Sequence, residues 1–496
     1  MKKEKEGGDA MQKIKIPATS KGERLSVYLA EIGIFLPLDC GGRGVCGKCK
    51  VKLLSGSFLD QLGKPLACDE SGCILACKAF CAGEAEIALM QSTSAAALTD
   101  FEKTDTQSDG KTGYGMALDI GTTTLACALV DLASGEVIDT LSALNPQRAF
   151  GADVMSRITA SENGHLATMQ SLVAGAVRDF FDTFSKRYPS QMPTKLCVCA
   201  NTVMLHIFCG ESPSSMGKAP FTPVFTEKRS FAGEALGLPF DEVVLLPSAS
   251  AFIGADITAG VTALGKSEEA LPALLIDVGT NGEMVLFQKD GAPLAASTAA
   301  GPALEGAGIS CGVGGVPGAI CSLSQEKGNL AFKTVADAPA VGICGSGLID
   351  AVAYLLDCEH IDESGYMEEE FTLCEGVSIT PKDIRALQLA KSALRAGIET
   401  LLEEARLSPS DLAAVYVAGG LGYYMNLKSA AKIGLFPAAF LKTAKAVGNA
   451  ALAGAISCLL QKEKAEAAKR FAGACKTVDL NANPTFVEAF VEHMTF

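Results

Sequence analysis

The segment Met116-Ala-Leu-Asp119-Ile-Gly121-Thr122-Thr123-Thr124-Leu-Ala-Cys-Ala-Leu-Val-Asp131 reads as an apolar strand, a tight Gly-Thr turn and a second apolar strand. It has an echo 158 residues on, Ala273-Leu-Leu-Ile-Asp277-Val-Gly279-Thr280-Asn281-Gly282-Glu283-Met-Val-Leu-Phe. In both, the first strand ends in Asp-x-Gly-Thr. One device met twice at domain-sized spacing predicts an internally duplicated fold, two related lobes each opening with a hairpin. Helical periods fall between and beyond the copies, at Val154–Asn163, Gln170–Tyr188 and Lys382–Glu404. Strands alternating with helices place the region in the α/β class.

A hairpin tipped with glycine and threonine offers backbone N–H groups and hydroxyls to phosphate oxygens. The aspartate before the turn stands where a carboxylate holds Mg2+, usually through water. One Asp-x-Gly-Thr equally describes a structural turn, whereas two copies can clamp a nucleotide's phosphates from opposite sides. Val415-Tyr-Val-Ala-Gly419-Gly420-Leu-Gly422 is a buried strand ending in glycines, which lets a flat base or ribose come close. Pro247-Ser-Ala-Ser-Ala-Phe-Ile-Gly254-Ala-Asp256 and Val447-Gly448-Asn-Ala-Ala-Leu-Ala-Gly454-Ala lead into small-residue helices able to cross closely. In this order the pieces resemble the phosphate 1, connect 1, phosphate 2, adenosine and connect 2 signatures of the acetate kinase–sugar kinase–Hsp70–actin superfamily. The resemblance implies a two-lobed actin-like ATPase fold binding ATP with Mg2+. Asp119 and Asp277 would position the ion. Gly121, Thr122, Thr123 and Thr124, with Gly279, Thr280, Asn281 and Gly282, would surround the phosphates, and Gly419 and Gly420 would face the adenosine. Glu283, Glu305 and Asp256 are open candidates for orienting the attacking water.

Ahead of this region lies Asp39-Cys40-Gly-Gly-Arg-Gly-Val-Cys46-Gly-Lys-Cys49-Lys50, with a further cysteine at Cys77. Thiolates are the ligands of iron–sulfur clusters, and four complete a [2Fe–2S] site. Glycines let the backbone wrap the inorganic core, with positive φ where needed. A zinc site is the alternative, but zinc ribbons pair two Cys-x2-Cys knuckles and a single knuckle stands here. The x5/x2 spacing resembles the adrenodoxin-like ferredoxins, which implies a β-grasp domain. Leu-Ala-Cys77-Lys looks like their closing ligand segment, with Cys73 or Cys81 as substitutes. Lys-Ile-Lys-Ile-Pro17, a short helix Leu25–Ile32, Lys50-Val-Lys-Leu-Leu and Ala85-Glu-Ile-Ala-Leu supply the flanking elements.

The 496 residues, 48% hydrophobic, are enough for three or four domains of core. A net charge of −14 with no basic cluster argues against nucleic acid as a partner. No apolar stretch reaches the ~18 residues of a membrane span, and no apolar segment follows the charged first residues, so neither membrane nor signal peptide is expected. Seven of the 18 cysteines crowd into residues 40–81 and the others sit at apolar positions, as in a reducing, anaerobic cytoplasm.

The expected organisation is a charged tail (1–10), a ferredoxin-like domain (11–92), a flexible linker (93–113), a first ATPase lobe (114–265) and a second (266–496) carrying the adenosine and connect 2 motifs. A [2Fe–2S] domain fused to such an ATPase resembles the reductive activators of corrinoid proteins. Asn145-Pro-Gln, Gly151-Ala-Asp-Val-Met-Ser-Arg157-Ile, Asn201-Thr-Val-Met-Leu-His206, Ser297-Thr-Ala-Ala-Gly-Pro-Ala-Leu-Glu305-Gly306, Gly342-Ile-Cys-Gly-Ser-Gly347-Leu-Ile-Asp350 and Asn483-Pro-Thr-Phe carry the likeness along the chain. It departs in passing from ferredoxin to ATPase through about twenty residues, without an extra middle domain. The resemblance implies ATP-dependent return of one electron to Co(II) of a corrinoid protein in a methyltransferase system. It also implies a low-potential electron donor and a homodimer. An activator of the 2-hydroxyacyl-CoA dehydratase type, a redox sensor that binds ATP without turnover, and a small-molecule kinase are the rival readings. His206 is expected to be a packed, hydrogen-bonded core residue before it is a ligand.

Overall fold

The computed structural model describes residues 13–32, 34, 36, 44, 47, 49–69, 71–89, 108–151, 153–264, 270–326 and 329–496. The chain forms two compact units, residues 1–94 with 146–160, and residues 95–145 with 161–496. The second unit is thus interrupted by a fifteen-residue excursion, Pro146–Ala160, that belongs by its contacts to the first. The expected block 114–265 did not foresee this, because local periodicity carries no information about which unit a segment packs on.

In the first unit, β1 (Lys13–Ile16), α1 (Leu25–Glu31), β2 (Lys50–Ser55), β3 (Phe58–Leu59), β4 (Cys73–Leu75), β5 (Phe80–Cys81) and β6 (Ala85–Leu89) follow in order. The sheet runs β1-β6-β2-β4, antiparallel throughout, and β3 pairs with β5. Strict alternation in Lys-Ile-Lys-Ile puts Ile14 and Ile16 inward, where Leu25 and Leu29 of α1 meet them with Val51 and Ile87. The excursion supplies α2 (Val154–Ala160). Its Arg157 is fully buried and donates to the Gly151 carbonyl (3.2 Å) and to Gln147 Oε1 (3.4 Å). The α-helical bonding of α2 ends at Ala160, a wider helical turn continues over Ser161–His165, and the period read to Asn163 is broken only at Gly164, which takes a left-handed φ of 89° before the next helix.

The second unit is built from two sheets of matching plan. The first contains β7 (Tyr114–Ile120), β8 (Thr124–Asp131), β9 (Val137–Leu144), β10 (Pro193–Ala200), β11 (Arg229–Phe231) and β12 (Glu242–Leu245), ordered β11-β12-β10-β7-β8-β9. Helices α3 (Leu166–Arg187), α4 (Thr202–Cys209) and α5 (Ala255–Ala263) connect or follow these strands. The second sheet opens with β13 (Ala273–Val278), β14 (Gly282–Phe287) and β15 (Leu294–Thr298). A side region of β16 (Ala319–Glu326), β17 (Asn329–Thr334), β18 (Gly342–Ile343), α6 (Gly345–Asp357), β19 (Phe371–Cys374) and β20 (Val377–Ile379) comes next. Helix α7 (Pro381–Glu404) then leads to β21 (Ala414–Ala418), α8 (Gly419–Tyr424), α9 (Leu427–Lys432), β22 (Ala444–Gly448), α10 (Ala450–Leu460), α11 (Lys462–Ala474), β23 (Lys476–Thr477) and α12 (Pro484–Glu492). This sheet is ordered β22-β21-β13-β14-β15-β23. In each lobe an antiparallel meander (β7-β8-β9, β13-β14-β15) is extended on its first strand by two parallel strands, β10 and β12 or β21 and β22. The duplication read from the twin hairpins is present, as an α/β actin-like pair of lobes, in a chain that also carries a ferredoxin-like domain.

The two small-residue helices cross as expected. A Cβ on Gly454 of α10 would run into the Ala259 backbone of α5, and Gly260 faces Ala450. Close approach is what lets α10 lie on β7 and β10 while α5 packs on Leu275, Val285 and Phe287 of the other sheet. The last residues of the expected linker are bonded into this unit: Ser108 donates to the Leu132 carbonyl, Asp109 accepts from Lys462 N (2.6 Å), and Lys111 Nζ reaches the Leu459 carbonyl (2.7 Å). Among the described residues no helix is long and apolar enough to cross a membrane.

His206 is a core residue. Its Nδ1 lies 2.7 Å from the Thr202 carbonyl, and Nε2 accepts from the Val224 and Phe225 N–H groups at 3.1 and 3.4 Å. Those donors assign the proton to Nδ1 and keep the ring neutral. The ring stacks on Phe225 at 4.3 Å, and the Arg229 guanidinium lies 3.8 Å from the Phe225 ring centroid. Burial holds the imidazole below its ordinary value. The unfolded chain therefore takes up a proton at pH values where the folded one does not, so this group's contribution is lost as pH falls below about 6.5. His206→Gln keeps an acceptor for both N–H groups and removes the titration. Urea unfolding followed by circular dichroism at about pH 7.5 and about pH 5.5 will show a larger acid-induced drop in midpoint for the wild type than for this variant. Equal drops would place the pH sensitivity elsewhere.

Candidate functional site

The turns of the two hairpins are Gly121–Thr123 between β7 and β8 and Gly279–Asn281 between β13 and β14. Each sits at the end of a buried strand, because Asp119 and Asp277 are the polar residues that interrupt otherwise apolar runs. The turns converge on one carboxylate. Thr280 Oγ1 donates to Glu305 Oε2, and Thr123 Oγ1 lies 3.5 Å from the same oxygen. Glu305 ends a short turn, Pro302–Glu305, whose Ala303 and Leu304 are buried.

Three asparagines hold the first hairpin. Asn145 donates through Nδ2 to the Gly121 carbonyl (2.8 Å) and through its backbone to the Thr123 carbonyl (2.9 Å). Asn201 caps α4 by accepting from Met204 N (2.9 Å) and donates to Thr122 Oγ1 (3.1 Å). Asn449 caps α10 through Leu452 N (2.8 Å) and donates to Asp119 Oδ2 (3.0 Å). None of the three belongs to a motif that announces this role in the sequence. The available signal was an asparagine directly before a helix at two of the three positions.

Asp119, Asp256, Asp277, Glu283 and Glu305 all keep part of their surface open and lie close enough to act on one another's charge. Burial raises Asp119 to about 7, with Asn449 opposing the shift and Asp256 adding to it. Asp277 is also raised to about 7, by burial and then by Asp256, Asp119 and Glu305. Burial lifts Asp256 to about 6, and Glu283 is pushed well above its usual range by burial, Asp256 and Asp277. Such mutual repulsion marks a place suited to a cation. Among the described residues no three His, Cys, Asp or Glu side chains converge as direct ligands. The donors fit an ion that keeps its own waters, as Mg2+ does.

The other candidates separate by position. Glu283 faces Asp277 across the hairpin and accepts from Ser297 Oγ (3.3 Å) and from Asn281. Asp256 accepts from its own helix start, Ile257 N (2.8 Å). Gly282 is buried, and any side chain there would meet Leu394 of α7, so its lack of one serves packing. Thr124 begins β8. Gly419 takes φ 87° where a Cβ would stand 2.8 Å from the Val278 carbonyl and 2.9 Å from Asp277 Oδ1, and Gly420 is exposed beside it. The glycine end of β21 thus lies directly against the carboxylate end of β13.

In the ferredoxin-like unit, Cys49 and Cys77 are buried side by side, and the Cys77 sulfur holds the Cys49 thiol down at about 7. The Ala76 N–H donates to the Cys49 carbonyl (3.0 Å), tying the two cysteine segments together. Cys40 and Cys46 lie outside the described residues, as do Arg43 and Lys48. Gly44 and Gly47 take φ 75° and 72°, the left-handed backbone expected of a loop wrapped around a cluster. Cys73 turns toward the Ser71 carbonyl (3.9 Å), and Cys81 lies in β5 opposite Phe58, its thiol raised to about 11 by burial. Adjacent soft donors, one drawn toward thiolate, fit an iron–sulfur centre.

Residues 11–82 match the 2Fe–2S iron–sulfur cluster binding domain, 114–268 the RACo middle region, and 272–496 the C-terminal domain of RACo, its ASKHA domain. The middle region is here the first actin-like lobe, so the short lead into Tyr114 does not skip it. The corrinoid activation enzyme RamQ of Eubacterium limosum is 32% identical over 421 residues, 77% of this chain and 70% of that protein. The [Co(II) methylated amine-specific corrinoid protein] reductase of Methanosarcina barkeri is 29% identical over 390 residues, 71% of each. Among solved structures, a reductive activator for corrinoid, iron–sulfur protein superimposes with a TM-score of 0.72 at 28% identity, covering 97% of this chain and 96% of that one. With its iron–sulfur domain, its middle region and its ASKHA domain matched in order, the chain belongs to the RACo family of reductive activators of corrinoid proteins.

Proposed function

We propose that this protein uses ATP to drive one electron from a [2Fe–2S] cluster onto Co(II) of a corrinoid protein, restoring Co(I) for methyl transfer. The observation that carries this reading is the convergence of two Asp-x-Gly-Thr hairpins on one cluster of carboxylates, in a chain that also holds an iron–sulfur domain. When bound, the cluster supplies a single electron near the potential of simple [2Fe–2S] ferredoxins, about −400 mV. The Co(II)/Co(I) couple lies lower. A gap of a few hundred millivolts for one electron is on the order of 5 kcal/mol, within reach of nucleotide binding or hydrolysis.

The chain's own residues divide this work. Cys40, Cys46, Cys49 and Cys77 hold the cluster, a ligand choice supported by the pairing of Cys49 with Cys77. Asp119 and Asp277 hold Mg2+ through its waters, and Asn449 fixes the orientation of Asp119. Thr122, Thr123, Thr280 and Asn281 grip phosphate oxygens, and Gly419 and Gly420 leave room for the adenosine. Movement of the lobes about the α5–α10 crossing converts nucleotide state into a change of the surface offered to the corrinoid protein. The abundance of thiols throughout the chain suits a reducing cytoplasm.

Two measurements test this reading. A Co(II) corrinoid protein, mixed anaerobically with this protein and a low-potential reductant, will develop the Co(I) absorption band with Mg-ATP and not without it. Asp119→Ala and Asp277→Ala will each lower the ATP-dependent rate by about 10–100-fold. Full activity in both variants, or ATP hydrolysis without Co(I) across several corrinoid proteins, would overturn the reading. Iron analysis and visible spectra of Cys77→Ser will show loss of the cluster, whereas Cys73→Ser and Cys81→Ser will retain it. A cluster that survives Cys77→Ser refutes that ligand.

A further inference from the structure

We propose that Glu305 is a clasp between the lobes that competes with nucleotide phosphate for the hydroxyls of Thr280 and Thr123. The proposal rests on the nucleotide reading above and gives Glu305 a role within it as a positioning residue, ahead of Glu283 and Asp256. Its basis is the one carboxylate oxygen approached from two lobes. Glu305 Oε2 accepts from Thr280 of the second hairpin and lies 3.5 Å from Thr123 Oγ1 of the first.

The side chain is delivered by a fixed support. Leu304 is 1% exposed and Ala303 5%, so the turn is anchored in the core of the second lobe. Gly306 follows with φ 79°, and a Cβ there would strike the Val313 backbone. Glu305 therefore reaches the hairpins from a rigid base, and its contact with Thr123 ties the first lobe to that base.

A threonine hydroxyl carries one proton and can donate it to one strong acceptor at a time. A phosphate oxygen and a carboxylate oxygen present the same kind of acceptor, and both are anionic. For the hairpins to take a phosphate, Thr280 and Thr123 must turn from Glu305. The displaced carboxylate must then withdraw from a like charge or share a cation with it. Nucleotide binding and the clasp thus exclude one another, and binding releases a contact that holds the lobes together. The other acids of the cluster do not stand in this relation, because Glu283 is occupied by Ser297 and Asn281, and Asp256 by the start of its own helix.

The test is a double-mutant cycle on Mg-ATP affinity, measured by anaerobic calorimetry on the full-length, cluster-loaded protein. Glu305→Ala will bind Mg-ATP about tenfold more tightly than wild type, the scale of one hydrogen bond to a charged group. Glu305→Gln, which preserves the shape of the side chain, will shift in the same direction by less. Thr280→Ala discriminates the clasp from simple repulsion. In the wild-type background it removes both the clasp and the phosphate contact, so affinity changes by less than about threefold, whereas beside Glu305→Ala it weakens binding by about tenfold. Unchanged or weaker binding by Glu305→Ala, or equal effects of Thr280→Ala in both backgrounds, overturns the clasp and leaves the nucleotide reading standing. Absence of Mg-ATP binding in every variant and in the wild type overturns both.

Discussion

The hydrogen bond from Asn449 to Asp119 concentrates the constraint on which the ATPase unit depends. Asn449 stands where β22 of the second lobe ends and α10 begins, and the same side chain caps that helix. From this point α10 crosses onto β7 and β10 of the first lobe, passing α5 at a distance that only glycine and alanine permit. Asp119 is the last polar residue of the first lobe's central strand. One short contact therefore fixes three things together: the start of a helix, the orientation of a clustered carboxylate, and the relation of two sheets. An unpaired carboxylate in that position would be costly, which is why its partner is built into a helix cap and not left to a mobile side chain.

Around that contact the protein tolerates an unusual concentration of negative charge. Five carboxylates crowd together near the hairpin turns; burial pushes Asp119, Asp256, Asp277 and Glu283 upward, and repulsion from neighbouring carboxylates adds to it at Asp119, Asp277 and Glu283. A fold gains nothing from such an arrangement by itself. It becomes intelligible as a site prepared for a cation accompanying an anionic ligand, where the hydroxyls of two hairpins supply the donors. The ferredoxin-like unit shows the same economy, since its buried soft donors Cys49 and Cys77 are joined through the Ala76–Cys49 backbone bond.

The two Asp-x-Gly-Thr hairpins, the α/β class, the glycine-ended strand and the pair of small-residue helices were all legible in the sequence. Each is specified locally: apolar runs bounded by turn residues, or glycines where side chains cannot fit. The helix Pro381–Glu404 was legible for the same reason, its 3.6-residue period being long and uninterrupted. The roles of Asn201 and Asn449 were not, because an asparagine before a helix reads as a cap whether or not its amide also reaches a distant loop, and nothing local marks Asn145. The packing reason for Gly282 was hidden for a related reason. A glycine in a phosphate-like motif looks like a ligand contact until Leu394, more than a hundred residues away, is seen to fill the space beside it.

What the amino-acid sequence determined by itself is the set of parts and their order: a cysteine-rich segment, twin hairpins, a glycine-ended strand and crossing helices. Short-range periodicity, turn chemistry and ligand spacing encode these, and they survive without knowledge of what each part touches. Only the tertiary structure decided which acids crowd together, that Glu305 joins Thr280 and approaches Thr123, and that Pro146–Ala160 packs with the first unit. Those relations arise from contacts between residues far apart along the chain, where burial and charge act through space and leave no local signature.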